Sequence, residues 1–266
     1  MTERATAREL LARYLRQRAE LGQRELYLER STNAELLGRL RAPSARGVAR
    51  ETRRPAVELP AVQEAARAEA PAAADRFERL RAEILGCTRC RLAEGRTTVV
   101  FGEGDRDADL LVVGEAPGYE EDRQGRPFVG PAGKLLDKML AAIGFRRDEV
   151  FICNVLKCRP PENRDPVADE VAVCRPYLRQ QVELVAPKAI CAFGRFAAQT
   201  LLASEASLGR LRGARHEFMG IPVVVTYHPA ALLRNQQWKR PAWEDLKLLR
   251  RIYDEAGGRA PVGGRG

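Results

Sequence analysis

Four of the six cysteines in this 266-residue chain have a spacing that suits shared ligation. Cys87 and Cys90 form a close CxxC pair, and Cys158 and Cys174 lie far downstream with fifteen residues between them. Four thiolates from two places in the chain suit a tetrahedral zinc ion or an iron–sulfur cube. Close pairs usually mark zinc ribbons, and the wide second gap is less typical of those. Cys153 and Cys191 fall in apolar runs that read as strands, where a free Cys is a small core residue. Four further stretches carry polar groups in loop-like settings: GEAPGYEED at 114–122, GRPFVG at 125–130, NVLKCRPP at 154–161 and HPAALLR at 228–234. Two Gly-rich loops do not complete a phosphate-binding pattern. Gly133-Lys134 is followed by Leu135 and has no Gly five positions before Gly133, and Gly102-Glu103-Gly104 lacks the third Gly.

The elements that must position these groups follow from hydrophobic periodicity. Residues 109–113, 149–156, 189–193 and 222–227 read as strands, and 133–143, 165–184, 195–203 and 243–255 as helices. Such alternation implies right-handed crossovers and a parallel sheet covered on both faces. The expected fold class is α/β, a three-layer α/β/α sandwich around a central, mostly parallel, four-stranded sheet. Three of the four stretches follow predicted strands, which gathers them at one sheet edge, where ligands of such folds bind. Four segments are expected along the chain. Residues 1–41 read as a helical N-terminal extension, with Leu10, Leu11, Tyr14, Leu15, Leu21 and Leu26 at helical spacing. Residues 42–75 read as an Ala/Pro/Arg-rich linker, 76–255 as the folded domain, and 256–266 as a flexible basic tail.

Lys plus Arg (45) exceed Asp plus Glu (36), a formal net charge of +9, which favours a polyanionic partner. Charged residues at 30% and hydrophobic ones at 45% exclude global disorder and coiled-coil arrays. No apolar run approaches the roughly 18 residues of a membrane span, and the N-terminus MTERATAREL lacks the apolar region of a secretory signal. A cytoplasmic location without membrane contact is expected, where thiols are kept reduced and a disulfide framework is not. No strong self-association pattern is present, so a monomer is expected.

Taken together, in this order and spacing, the four stretches resemble the family 4 uracil-DNA glycosylases, the iron–sulfur branch of the uracil glycosylase superfamily, over about residues 81–255. The resemblance implies a uracil-DNA glycosylase-like fold and uracil-containing DNA as partner. The implied reaction is hydrolytic excision of the base, leaving an abasic site for base-excision repair. It also implies a [4Fe–4S] cluster rather than zinc on Cys87, Cys90, Cys158 and Cys174. Breaking a glycosidic bond transfers no electron, so that cluster is expected to serve structure or DNA positioning. The enzyme is expected to be monofunctional: lyase chemistry needs an amine nucleophile, and of the six Lys only Lys157 falls in these motifs. Two rivals remain, a glycosylase accepting a wider set of deaminated bases, and a non-catalytic cluster-containing DNA-binding accessory. The N-terminal extension is a place for a repair or replication protein to dock.

The resemblance also gives each residue a part. The Asn154 amide would accept from uracil N3–H and donate to O4, a pattern that cytosine reverses. Phe128 would offer a face to the flipped base. A neutral His228 would donate to uracil O2 as negative charge grows on the leaving base. Glu115 would stabilise an oxocarbenium-like sugar or orient the attacking water; other branches use an Asp in this loop, where this chain has Ala116. Backbone groups of Gly114, Glu115 and Ala116 would contact the base. Tyr119 stands where an acidic residue is expected after GEAPG, and its ring is expected near uracil C5, excluding thymine. Leu232 and Leu233 are the wedge candidates, and Arg234, with Arg159, Lys239 and Arg240, would hold phosphates.

Overall fold

The structure is a computed structural model that describes residues 73–260. The expected N-terminal extension and nearly all of the linker lie outside the described residues, as do 261–266 of the tail. Leu110–Gly114 (β2), Phe151–Asn154 (β3), Ala189–Phe193 (β4) and Ile221–Thr226 (β6) pair in parallel in the order β3-β2-β4-β6. All but Ile221 are buried, the mark of strands covered on both faces.

The expected four strands are therefore the centre of a wider sheet, because a short antiparallel strand closes each edge. Glu103–Gly104 (β1) pairs with β3, and Arg215–Phe218 (β5) pairs with β6. β5 is joined to β6 through Met219 and Gly220, both with positive φ as a two-residue hairpin turn requires. Sequence patterning missed β5 because Arg-His-Glu-Phe is a partly exposed edge segment with little apolar signal.

Helices cover both faces. Ala73–Leu85 (α1), Ala168–Val185 (α5) and Arg195–Leu202 (α6) pack on Leu111, Val113, Ile190 and Val223. Pro131–Ala142 (α4) and Lys239–Glu255 (α9) pack on Leu110, Val112, Cys191 and Val224. Four short helices, Leu92–Gly95 (α2), Tyr119–Gln124 (α3), Leu208–Leu211 (α7) and Pro229–Arg234 (α8), lie in the connections. The chain passes from β2 over the α4 face to β3, then returns over the α5 face to β4. Loops after β2 and β4 thus leave on opposite faces and open a crevice at the carboxyl edge of the sheet. Among the described residues no helix is long and apolar enough to cross a membrane. At the opposite edge Arg259, in the segment expected as a tail, donates from its backbone N and Nε to Asp109 at 2.9 Å each.

One buried carboxylate ties the segment before β1 to α5. Glu170 accepts from Arg91 Nε at 2.9 Å and from both terminal nitrogens of Arg164, and it caps α5 through the Val167 amide. The Arg164 hydrogen bond is the main reason its carboxyl sits at about 2 rather than 4.5. Only the carboxylate is buried; the Arg91 and Arg164 side chains are 57% and 35% exposed and reach water without it. Glu170→Ala is expected to cost about 2 kcal/mol in a urea melt at neutral pH, through the loss of charge-assisted hydrogen bonds. Because the folded value is depressed, this stabilisation is complete above about 4.5 and is lost as the pH falls toward about 2. The difference between wild type and variant should shrink over that window.

Candidate active site at the carboxyl edge of the sheet

The ends of the parallel strands surround a cavity of about 780 Å³. Residues 115–118 after β2, Asn154 at the end of β3, 194–196 after β4 and His228 after β6 line it, and Phe128, Glu121 and Arg234 complete the wall nearest His228. Gly114 and Asn154 face each other in the β2–β3 ladder. A Cβ on Gly114 would lie 2.3 Å from Asn154 Oδ1 and 2.6 Å from Phe128 Cζ, so only glycine lets the amide and the ring come this close. Phe128 stacks on His228, with centroids 5.4 Å apart at 27°. Gly194, at φ +92°, lets the backbone after β4 pass His228, whose Cβ would be 3.2 Å from an added methyl.

Phe128 adopts a positive φ of 51°, unusual for a bulky residue, and its loop is held from two sides. Arg147 donates to the carbonyls of Pro127 and Phe128 and to Asp137. Glu121 accepts from the amides of Val129 at 2.9 Å, Gly130 at 3.2 Å and Gly118 at 3.1 Å, joining the Phe128 loop to the loop after β2. Asp122, next to it and buried, accepts from the amides of Thr97 and Thr98. Sequence reasoning assigned neither Glu121 nor Arg147 a part. Glu121 lies within the stretch 114–122 without a part of its own there, and Arg147 belongs to no motif.

His228 Nδ1 accepts from the Ala230 amide at 3.2 Å, so its proton resides on Nε2. Burial, helped by the positive charge of Arg234, holds the imidazole down at about 4, and it is neutral at pH 7. Burial lifts Glu115 to about 7; the negative charge of Asp165 adds to this and Arg195 opposes it. Arg195 and Asp165 form an ion pair of 3.1 Å on the cavity wall. The site therefore holds a neutral N–H donor, an unencumbered amide, an aromatic face and a carboxyl that ionises near neutrality.

A family model for the uracil DNA glycosylase superfamily matches residues 101–247, more than half of the chain. The chain belongs to that superfamily. A type-4 uracil-DNA glycosylase of Sulfurisphaera tokodaii is 43% identical over 187 residues, 67% of this chain and 85% of that protein. Those of Archaeoglobus fulgidus and Thermotoga maritima are 44% and 42% identical over 175 residues, covering 63% and 64% of this chain and 88% and 91% of theirs.

Within this uracil-DNA glycosylase fold, most of the residues expected to hold the base converge on one cavity, whereas Tyr119, Arg159, Leu232, Leu233, Lys239 and Arg240 are not part of its lining. Gly114 packs directly against Asn154 and Phe128, and Glu115, Ala116, Phe128, Asn154, His228 and Arg234 line the cavity. Tyr119 is 53% exposed and lies outside the lining, because it opens α3 on the solvent side while Glu121 turns inward. The ring expected near uracil C5 is thus found on the solvent-exposed side of α3. Leu232 is 2% exposed and packs in the α4–α9 core, which rules it out as a wedge; its neighbour Leu233 is 42% exposed.

The four separated cysteines meet on the α1–α5 face. Cys87 and Cys90 follow α1, Cys158 follows β3 and Cys174 lies on α5, and all are free thiols. Burial pushes Cys158 up to about 11 and Cys174 upward; each also feels the charge of Cys90. Arg96 donates to Cys158 Sγ at 3.2 Å. Among the described residues no three His, Cys, Asp or Glu side chains are grouped as a single metal ion would require. Cys153 and Cys191 are buried strand residues on opposite faces of the sheet.

Displacing Asn154 and Phe128 together tests the geometry directly. Gly114→Ala is expected to lower uracil excision, the activity for which the type-4 relatives are named, by about 100-fold in kcat/KM, since misplacement by about 1 Å has that cost. Circular dichroism of the same sample should show a folded protein.

Proposed function

We propose that this chain excises uracil from DNA by hydrolysing the N-glycosidic bond, leaving an abasic site for base-excision repair. The observation that carries this is the convergence of Asn154, Phe128 and a neutral His228 with its proton on Nε2. Extruded uracil lies against the Phe128 ring, its N3–H donated to the Asn154 carbonyl and its O4 accepting from the same amide. Cytosine presents the opposite pattern to a fixed amide and leaves polar groups unpaired. Backbone groups of Gly114, Glu115 and Ala116 border the base. As the bond to the sugar lengthens, charge accumulates on the base, and His228 Nε2–H donates to O2. An imidazole held at about 4 acts there as a neutral donor rather than a proton-transferring acid. Ionised Glu115 opposes the positive charge on the sugar and receives a proton from, or orients, the attacking water.

The reaction is hydrolytic only. No Lys lines the cavity, and Lys157 is buried with its Nζ donating to the backbone carbonyl of Asn154 and to Gln181 Oε1. Leu233, exposed beside Arg234, takes the wedge position, and Arg234 a phosphate. A non-catalytic accessory has no use for His228 and Glu115 set as they are.

The cysteine quartet fits a [4Fe–4S] cluster held by Cys87, Cys90, Cys158 and Cys174. Four soft thiols come from two chain segments, and a guanidinium already donates to one sulfur. A cube holds its thiolates farther apart than a single ion does. When bound, such a cluster cross-links the segment before β1 to β3 and α5, and the hydrolysis draws no electron from it.

The test is an anaerobically purified protein incubated with a labelled oligonucleotide holding one uracil, followed by alkaline cleavage at abasic sites. Cleavage at the uracil is expected, with His228→Ala and Asn154→Ala reduced by about 100-fold or more. No cleavage by protein with intact cluster absorbance would overturn the reading. With Glu115 required in its ionised form, kcat should rise with pH through about 7 and level off above it. Glu115→Gln should be slower and lack that inflection, and a wild-type profile that falls across the same range would exclude this role for Glu115.

A further inference from the structure

Tyr119, outside the cavity, occupies a setting of its own on the cavity rim. Pro117 and Gly118 immediately before it line the cavity, as do Pro160 and Asn163 just after Arg159. Two guanidinium groups lie over its exposed ring, Arg159 at 5.1 Å and Arg123 at 5.7 Å from the centroid. Arg159 belongs to the loop after β3, where its Nε donates to Asn163 Oδ1 at 2.8 Å. Arg123 lies on the same helix as Tyr119, 3.7 Å from the Glu120 carboxylate. The other two acidic side chains of this helix, Glu121 and Asp122, turn inward onto backbone amides and do not oppose an anion at the ring.

An aromatic face bordered by two cations, beside a cavity that takes an extruded base, matches the chemistry of a nucleotide. The base stacks on the ring, and its phosphate is drawn to the guanidinium groups. Inside a duplex both faces of a base are already stacked, so only an unpaired nucleotide can use such a ring. For a base to stack there, a guanidinium over the ring must swing toward the phosphate and give up its place on the ring.

We propose that Tyr119, Arg123 and Arg159 form a clamp for an unpaired nucleotide next to the extruded uracil, with its base on the Tyr119 ring and its phosphate at the two guanidinium groups. The clamp rests on the glycosylase reading for its substrate, but not on the chemistry inside the cavity. It favours single-stranded over duplex DNA. The stacking needs the ring and not the phenol hydroxyl.

The test measures binding of the full chain to single-stranded oligonucleotides by fluorescence anisotropy. Each carries one 2′-fluoro-2′-deoxyuridine, whose fluorine disfavours a cationic sugar and slows cleavage, and the nucleotide on either side is kept or replaced by a baseless spacer. Wild type and Tyr119→Phe are expected to bind about tenfold more weakly when the spacer stands on one particular side. Tyr119→Ala should bind both oligonucleotides equally, at the weaker level. Arg159→Ala should weaken both alike and lower the slope of log affinity against log salt by about 0.7. An equal spacer effect in wild type and Tyr119→Ala, or none in wild type, would overturn the clamp. Excision of ordinary uracil by wild type is measured in parallel. Failure there with the spacer effect intact would sink the glycosylase reading and leave the clamp standing.

Discussion

The cavity depends on a close approach at Gly114, where the Asn154 amide and the Phe128 ring occupy the space in which any other residue would carry its β-carbon. The parallel β2–β3 register sets Gly114 beside Asn154, and the loop returning from α3 brings Phe128 over both. Phe128 enters with a left-handed backbone, a conformation that costs on the order of 1 kcal/mol for a bulky residue. Arg147 and Glu121 offset that cost by holding the flanking carbonyls and amides. Gly133 contributes a second close approach, since a Cβ there would lie 1.8 Å from the Phe128 carbonyl oxygen.

Burial acts on the two titratable groups of the site in the same sense and gives them different work. It removes water from both His228 and Glu115, so each is driven toward its neutral form. For His228 this yields a donor that remains neutral across the physiological range, with its tautomer fixed by the Ala230 amide. For Glu115 it yields a group balanced near neutrality, which Asp165 and Arg195 bias in opposite directions. Two neutralising shifts therefore produce one constant group and one pH-dependent group.

The cysteine end of the domain is not independent of the base-reading end. Only three residues separate Asn154 from Cys158, and within them Lys157 ties the Asn154 carbonyl to Gln181 on α5, the helix that also carries Cys174. Gln181 in turn donates to the Phe101 carbonyl at 2.8 Å, and Glu170 fastens Arg91, next to Cys90, to the start of α5. These bonds connect the strand end that carries Asn154 to the helix that carries Cys174.

Much of this was determined by the sequence itself. Short continuous apolar runs bounded by turn residues read as strands buried on both faces, and helices alternating with them implied parallel pairing. That pairing sent the loops bearing Glu115, Asn154 and His228 to one edge. Periodicity and motif spacing are local or order-based properties, which a chain displays without being folded. What the tertiary structure alone decided were orientations and proximities across the chain. Residues one or two positions apart on the short helices α3 and α8 face opposite ways, so Tyr119 turned to solvent while Glu121 turned in, and Leu232 entered the core while Leu233 stayed out. The supports from Arg147 and Glu170 span up to about eighty residues and leave no local pattern. Nor does composition reveal the values near 4 for His228 and near 7 for Glu115, because desolvation arises only when several segments close around a group.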